Sequence, residues 1–294
     1  MKTHNSRLFS LRNKIFVSFF LPILFVVVIG MVSYNAAANG LTEKFKDSSV
    51  QVSQMTMDYV DVSLAFVKGQ ALQYMVDGNL VSYGLGSMEG DPIAKTGFLN
   101  DTRSSLAAIQ HMNSMIHNIH IVTKKGIDMC STNAAERQDG IYEEYCAEMQ
   151  AGAEDGRTIS QWAEGHEALD SVLSLNASDT FIVYQIPTNK KAAYIVVDIS
   201  SSALYDRLQA IDFGEGSICG FVTDSGKELL YENLREGESS RLVQGESVFA
   251  GADFYADSLE REEMCGAWKV RYKGGSYLYI YARSAEGAKI NFCA

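Results

Sequence analysis

The sequence predicts an α+β chain in which one long amino-terminal helix carries two modules, each built on an antiparallel sheet. Three observations predict it. An uncharged apolar run near the start leads directly into an amphipathic helical stretch. Near residue 116 the hydrophobic period changes from that of a helix to that of strands. A unit of strand, glycine turn, strand, helix and paired long strands then occurs twice, around 117–199 and again around 217–293.

The elements follow in order. Lys2, Arg7, Arg12 and Lys14 all precede the first acidic residue, Glu43, so the amino terminus is a basic island. Ile15–Ser33 then runs 19 residues without a charge, enough at about 1.5 Å per residue to cross roughly 30 Å of hydrocarbon. Basic residues stay on the cytoplasmic side. Residues 1–14 therefore read as a cytoplasmic basic segment, 15–34 as a transmembrane helix, and the body as extracytoplasmic in a cell membrane. The alternative is a cleaved secretory signal, for which Ala36-Ala37-Ala38 offers a small-residue site. The apolar run is longer than the roughly 7–15 residues usual for such signals, and on either reading the body leaves the cytoplasm.

Residues 35–115 read as a stalk helix and a following helical segment. Leu41, Phe45, Ser48, Val52, Met55, Tyr59, Val62 and Phe66 repeat at alternating steps of four and three, the pattern of a helix that packs along its length. The stripe suits packing on the chain's own domain or the seam of a parallel homodimer. Both can hold, because Val60, Leu64, Val67 and Leu72 supply further apolar positions. Asp77-Gly78-Asn79 supplies a stop. A glycine-rich stretch from Tyr83 to Gly97 leads to a second amphipathic segment, Leu99–Met115.

Residues 116–212 form the first expected module. Ile119–Thr123, the turn Lys124-Lys125-Gly126 and Ile127–Ser131 read as a hairpin, 139–151 as a short helix, and Thr180–Gln185 and Ala192–Ile199 as strong strands rich in β-branched and aromatic residues. Ser200-Ser201-Ser202 caps a helix to about Ile211. Residues 213–294 form the second, with strands at Ser217–Thr223, Glu228–Tyr231, Ala267–Tyr272, Tyr277–Tyr281 and Ile290–Cys293.

Composition excludes several functions. With 25 Lys and Arg against 36 Asp and Glu the formal charge is −11, which repels phosphate backbones and removes nucleic acid as a partner. No P-loop, G-x-S-x-G or H-E-x-x-H run occurs, so neither an enzyme nor a cofactor is expected. His111, His117 and His120 lack ligand spacing and the five cysteines form no C-x-x-C, so no metal is expected either. Cys130 with Cys146, or Cys219 with Cys265, remain open as bridges. Asp58 and Asp61 on the stalk read as solvated charges.

The basic opening SLRNKIFVSFFLPILFVVVIG, the stalk, the run Ala193-Tyr194-Ile195-Val196-Val197-Asp198-Ile199-Ser200 entering a helix with Leu204 and Leu208, and Gly216–Lys227 together cover nearly the whole chain. In order and spacing they resemble the double Cache sensor region of bacterial methyl-accepting chemotaxis receptors. That resemblance implies two stacked PAS-like modules, the membrane-distal one (116–212) binding a small molecule and the membrane-proximal one 213–294. It also implies a homodimer through the stalk, and a returning span and output domain after Ala294. The same sensor type also serves histidine kinases and cyclic-dinucleotide enzymes. A membrane-tethered solute-binding protein without signalling is the further alternative.

Family members that bind amino acids carry an Arg-x-Trp-Tyr run, a Tyr-x-Asp in the next strand and an Asp in the following one. Here Trp162, Tyr184 and Asp198 match the Trp, the strand Tyr and the last Asp, while Ser160, Ala163 and Ile186 replace the Arg, the second aromatic and the first Asp. The resemblance thus implies a small organic ligand other than an α-amino acid, held by Trp162, Tyr184 and Asp198, with Arg157 just upstream as a substitute cation. Read from the residues alone, Trp162 also suits core packing, Tyr184 an outward-facing strand position, and Asp198 a helix cap.

Overall fold

The computed structural model describes residues 11–131, 140–151, 161–235, 237–243 and 245–294. Its first element, α1 (Leu11–Met75), is one helix of 65 residues. The chain divides into two units, one ending at Ser49 and the other running Val50–Ala294. In the first unit the side chains from Phe16 to Tyr34 are exposed all round the helix, with no polar stripe among them. This stretch is long and apolar enough to cross a membrane.

In the second unit the same helix has a buried face. Met57, Val60, Leu64, Val67 and Ala71 are at most 1% exposed and join the largest core cluster. Each large apolar side chain taken out of water there contributes about 1.5–3 kcal/mol. The stripe singled out from the sequence lies two positions further along, about 200° round the helix. It faces the other way: Leu41, Met55 and Val62 are 72%, 63% and 71% exposed. Of its members Phe66 packs against the core, and Tyr59 carries the Arg207 guanidinium 4.0 Å above its ring.

Asp77 stops α1 and starts the next helix, α2 (Gly78–Gly84), accepting from the Asn79 and Leu80 amides at 2.7 and 3.2 Å. At Gly84 a Cβ would stand 2.3 Å from the Ala192 carbonyl oxygen, so only glycine lets α2 approach the sheet this closely. Asp91 and Pro92 open α3 (Pro92–Met112), a side-chain cap followed by the residue best suited to a helix start.

The first sheet comprises β1 (Ile116–Thr123), β2 (Gly126–Cys130), β3 (Gln161–Ala163), β4 (Thr180–Pro187) and β5 (Ala193–Ser200), in the order β2-β1-β5-β4-β3, antiparallel throughout. Its inner face, with Ile121, Ile182, Tyr184, Ile195 and Val197, joins the α1 core. Its outer face, with Val122, Val183, Tyr194 and Val196, is covered by α4 (Ile141–Ala151) and α5 (Glu167–Leu173). Strand β5 is buried along its whole length, because both faces of a central strand are covered.

Ser200 accepts from the Ala203 amide at 3.2 Å and so caps α6 (Ser201–Gln209), whose Leu204 and Leu208 are fully buried. The second sheet comprises β6 (Ile218–Thr223), β7 (Glu228–Glu232), β8 (Cys265–Tyr272), β9 (Gly275–Arg283) and β10 (Ile290–Cys293), in the order β7-β6-β10-β9-β8, with α7 (Asp253–Glu260) between β7 and β8. Numbered within each sheet, both orders are 2-1-5-4-3.

Polar ties fasten the parts of the second unit. Asp61 accepts from the Ala285 amide at 2.8 Å and from the Ser284 hydroxyl, so it holds the β9–β10 loop and is not the solvated charge that its position on the stalk suggests. Lys68 pairs with Glu286 at 2.8 Å. From the β6–β7 turn, Lys227 donates to the carbonyls of Glu164 and Thr180 at 2.9 and 3.0 Å, joining the second sheet's hairpin to the first module. All five cysteines are free thiols, so neither of the bridges left open by the sequence is formed.

Candidate functional site

The polar centre of the molecule lies on the outer face of the first sheet. Strands β1 and β5 pair with His120 opposite Val196, which makes Asp198 the diagonal neighbour of His120 on the same face. The loop ahead of α5 brings His166 over both. The Asp198 carboxylate accepts from His120 Nε2 at 3.0 Å and from His166 Nε2 at 2.7 Å, while His166 Nδ1 lies 3.2 Å from Asp170 Oδ1. The two imidazoles meet edge to face, their centroids 5.9 Å apart. His120, His166 and Asp198 are at most 1% exposed.

Burial opposes the charge on Asp198, yet the two histidines outweigh it and hold the carboxyl below its usual range. Burial likewise opposes protonation of His166, but Asp170 and Asp198 carry its pKa up to about 10. His120 is raised against the same opposition, chiefly by Asp198. The cluster is thus a carboxylate gripped between two imidazoles, on the sheet face that also carries Val122, Val183 and Val196. Next to it Gln185, opposite Val196 on β4, takes the Tyr145 hydroxyl.

Of the residues expected at the site, Trp162 and Tyr184 are brought together and Asp198 is set apart from them. Trp162 and Tyr184 are direct partners across β3 and β4, with ring centroids 4.8 Å apart. Tyr184 belongs to the inner core and half-buried Trp162 packs against that core. Asp198 pairs with Val183, the neighbour of Tyr184 that points to the other face. It caps no helix, since Ser200 does that. Arg157 lies outside the described residues.

Sequence reasoning missed His166 entirely and grouped His120 with the wrong histidines. One signal was available: His166 and Asp170 stand four residues apart across the start of a helix, a spacing that places a carboxylate against an imidazole.

No protein-family model matches the chain, and no curated protein matches it. Among solved structures it shares its fold with the extracellular domain of rpHK1S-Z16, designated a histidine kinase, at 14% identity and a TM-score of 0.53, over 87% of this chain and 95% of that one. The extracellular domain of mmHK1S-Z2, likewise designated a histidine kinase, matches at 13% identity and 0.50, over 84% and 95%. The ligand-binding domain of the Campylobacter jejuni chemoreceptor Tlp3, solved with L-norvaline, is more distant, at 12% identity and 0.44, over 85% and 91%.

Proposed function

We propose that the chain is the extracytoplasmic sensing region of a transmembrane receptor of the chemoreceptor kind. A small molecule is bound by the membrane-distal module, residues 116–212, and the resulting shift passes along α1. In this reading 1–14 is cytoplasmic, 15–34 spans the membrane, 35–115 is the stalk with its following helix, and 213–294 is the membrane-proximal module. The observation that carries it is the presence in one chain of a helical stretch apolar enough to cross a membrane, 16–34, and of a body of two antiparallel sheets with one strand order whose fold is shared with two extracellular domains. The exposed stripe Leu41–Met55–Val62 supports a parallel homodimer seam, the use that remains for apolar positions at heptad spacing turned away from their own domain. A second reading puts the same sensor on a histidine kinase, and the fold shared with two such extracellular domains favours it. In either case the signal is a population shift, and its size is limited by the ligand's differential affinity for the two arrangements.

Two measurements test this on the intact chain. Protease added to whole cells removes the body while the span stays in the membrane; a body left intact where known surface proteins are cleaved overturns the topology. A thermal-shift screen of amines, organic acids, sugars and metal ions on detergent-solubilised protein finds a ligand that stabilises by about 2.7 kcal/mol at a hundredfold excess over its Kd. A screen without any stabilising compound, over a body that is extracellular, points to a tether without a sensing role.

A further inference from the structure

We propose that His120, His166 and Asp198 form a site for one divalent transition-metal ion, zinc by preference, and that this ion is the ligand of the first module. The second half of that statement rests on the sensing reading; the first does not.

The donor set is specific. Two imidazole nitrogens and one carboxylate make the three-ligand composition of zinc sites that keep a fourth position for water or a small molecule. Magnesium and calcium, which want oxygen ligands, are poorly served by it. The donor atoms all lie within 4.8 Å of one another, and the two closest approaches, His120 Nε2 and His166 Nε2 to Asp198, are 3.0 and 2.7 Å. Bonds of about 2.0–2.2 Å to a tetrahedral ion set its ligands about 3.3 Å apart. Seating one ion among them opens the two contacts to Asp198 by about 0.3 and 0.6 Å and draws the third donor pair, which lies within 4.8 Å, together by up to about 1.5 Å. Protons on the two Nε2 atoms hold the trio together without metal; the ion takes their place and they leave to solvent.

Two further observations separate this from a chance polar cluster. Asp170 Oδ1 stands 3.2 Å from His166 Nδ1, in ion-pair range though not aligned for a hydrogen bond, and so places a carboxylate beside the ring nitrogen that faces away from Asp198. The trio also sits at most 1% exposed on a face otherwise made of aliphatic and tyrosine side chains, and replacing such a buried ionic set by apolar residues of similar volume is often neutral or stabilising. Packing therefore does not account for it.

The test uses the full chain in detergent, stripped with a chelator and then titrated with zinc alone, with magnesium as control. Expected are one zinc per chain and a melting temperature raised by zinc and not by magnesium. Asp170→Asn, a change outside the donor set, weakens zinc binding about 10–100-fold, read as the zinc-induced shift from that protein's own metal-free melting temperature. His166→Gln weakens it further. Cobalt in place of zinc gives the visible absorption of a tetrahedral centre, which His120→Gln abolishes. Zinc that fails to bind, or that binds the Asp170→Asn and His166→Gln proteins as tightly as the unaltered one, overturns the proposal. Either result leaves the sensing reading standing wherever cell-surface proteolysis and an organic ligand still support it.

Discussion

The two sheets share a strand order and differ in what they cover with it. Both first hairpins have a threonine three residues before a glycine of positive φ, Thr123 with Gly126 and Thr223 with Gly226, and superposing those turns through the strand pairings matches the sheets residue by residue. His120 then corresponds to Gly220, Gln185 to Tyr281, Val183 to Tyr279 and Val196 to Cys293. At Gly220 a Cβ would stand 2.6 Å from both the Leu229 carbonyl oxygen and Leu230 Cδ2, so the second sheet has no room for the side chain that anchors the polar cluster of the first. Its outer face is filled by aromatics instead: Tyr279 lies 4.7 Å from Phe254 and 5.0 Å from Trp268, ring to ring. The Tyr279 hydroxyl is satisfied by Ser258 at 3.1 Å and Cys293 at 3.3 Å. One frame has been used once around buried ionisable groups and once around a closed aromatic core. The buried ionisable groups therefore belong to the first sheet and the packed aromatic face to the second.

That contrast can be broken in several ways. Tyr279→Ala removes the centre of the aromatic face and costs about 3–5 kcal/mol, read by denaturant unfolding, while ligand or metal binding by the protein that remains folded is unchanged. Asp198→Ala leaves two imidazoles facing one another without their counter-ion. It costs about 3 kcal/mol and, unlike Tyr279→Ala, abolishes binding in the same titration. Gly220→Ala costs about 1–3 kcal/mol through overpacking, whereas Gly165→Ala, where a Cβ would meet nothing within 4 Å, changes the melting temperature little. The smallest effect is a pH dependence of the chelator-treated protein. His166 is raised from 6.5 to about 10, so its stabilising contribution is fully present below about pH 6.5 and is lost as the pH rises toward 10. Asp198 is lowered, so its contribution holds above the usual carboxylate pKa and is lost in acid. The melting-temperature gap between the unaltered protein and His166→Gln should therefore narrow from pH 6.5 to pH 10. A gap that widened would mean that the trio is not held by charge.

The strands, the hairpin turns, the apolar span and the repeat were legible because each is written locally, in period and in turn residues. Three things were not. Helix α1 carries two apolar stripes of equal spacing, one through Leu64 and one through Val62, and nothing local decides which of them the body covers. Tyr184 and Asp198 were placed together by a match of residue types, but a shift of one residue along β4 changes the face, and Val183 and Gln185 hold the places beside Asp198. His166 comes from a loop, and its meeting with His120 depends on a chain path of 46 residues (166 − 120) that no short-range pattern encodes.

Lys227 fastens the two modules to one another at a single side chain. Its ammonium is anchored to the carbonyl of Glu164, two residues before His166, and to that of Thr180 at the start of β4. Those two bonds fasten the tip of the second sheet's hairpin beside the loop that carries His166, and that hairpin runs through β6 and β10 to the loop gripped by Asp61 on α1. A series of hydrogen-bonded contacts therefore links the loop ahead of the buried imidazoles to α1 by way of the second sheet. Removing the Lys227 ammonium would break that link at a single side chain.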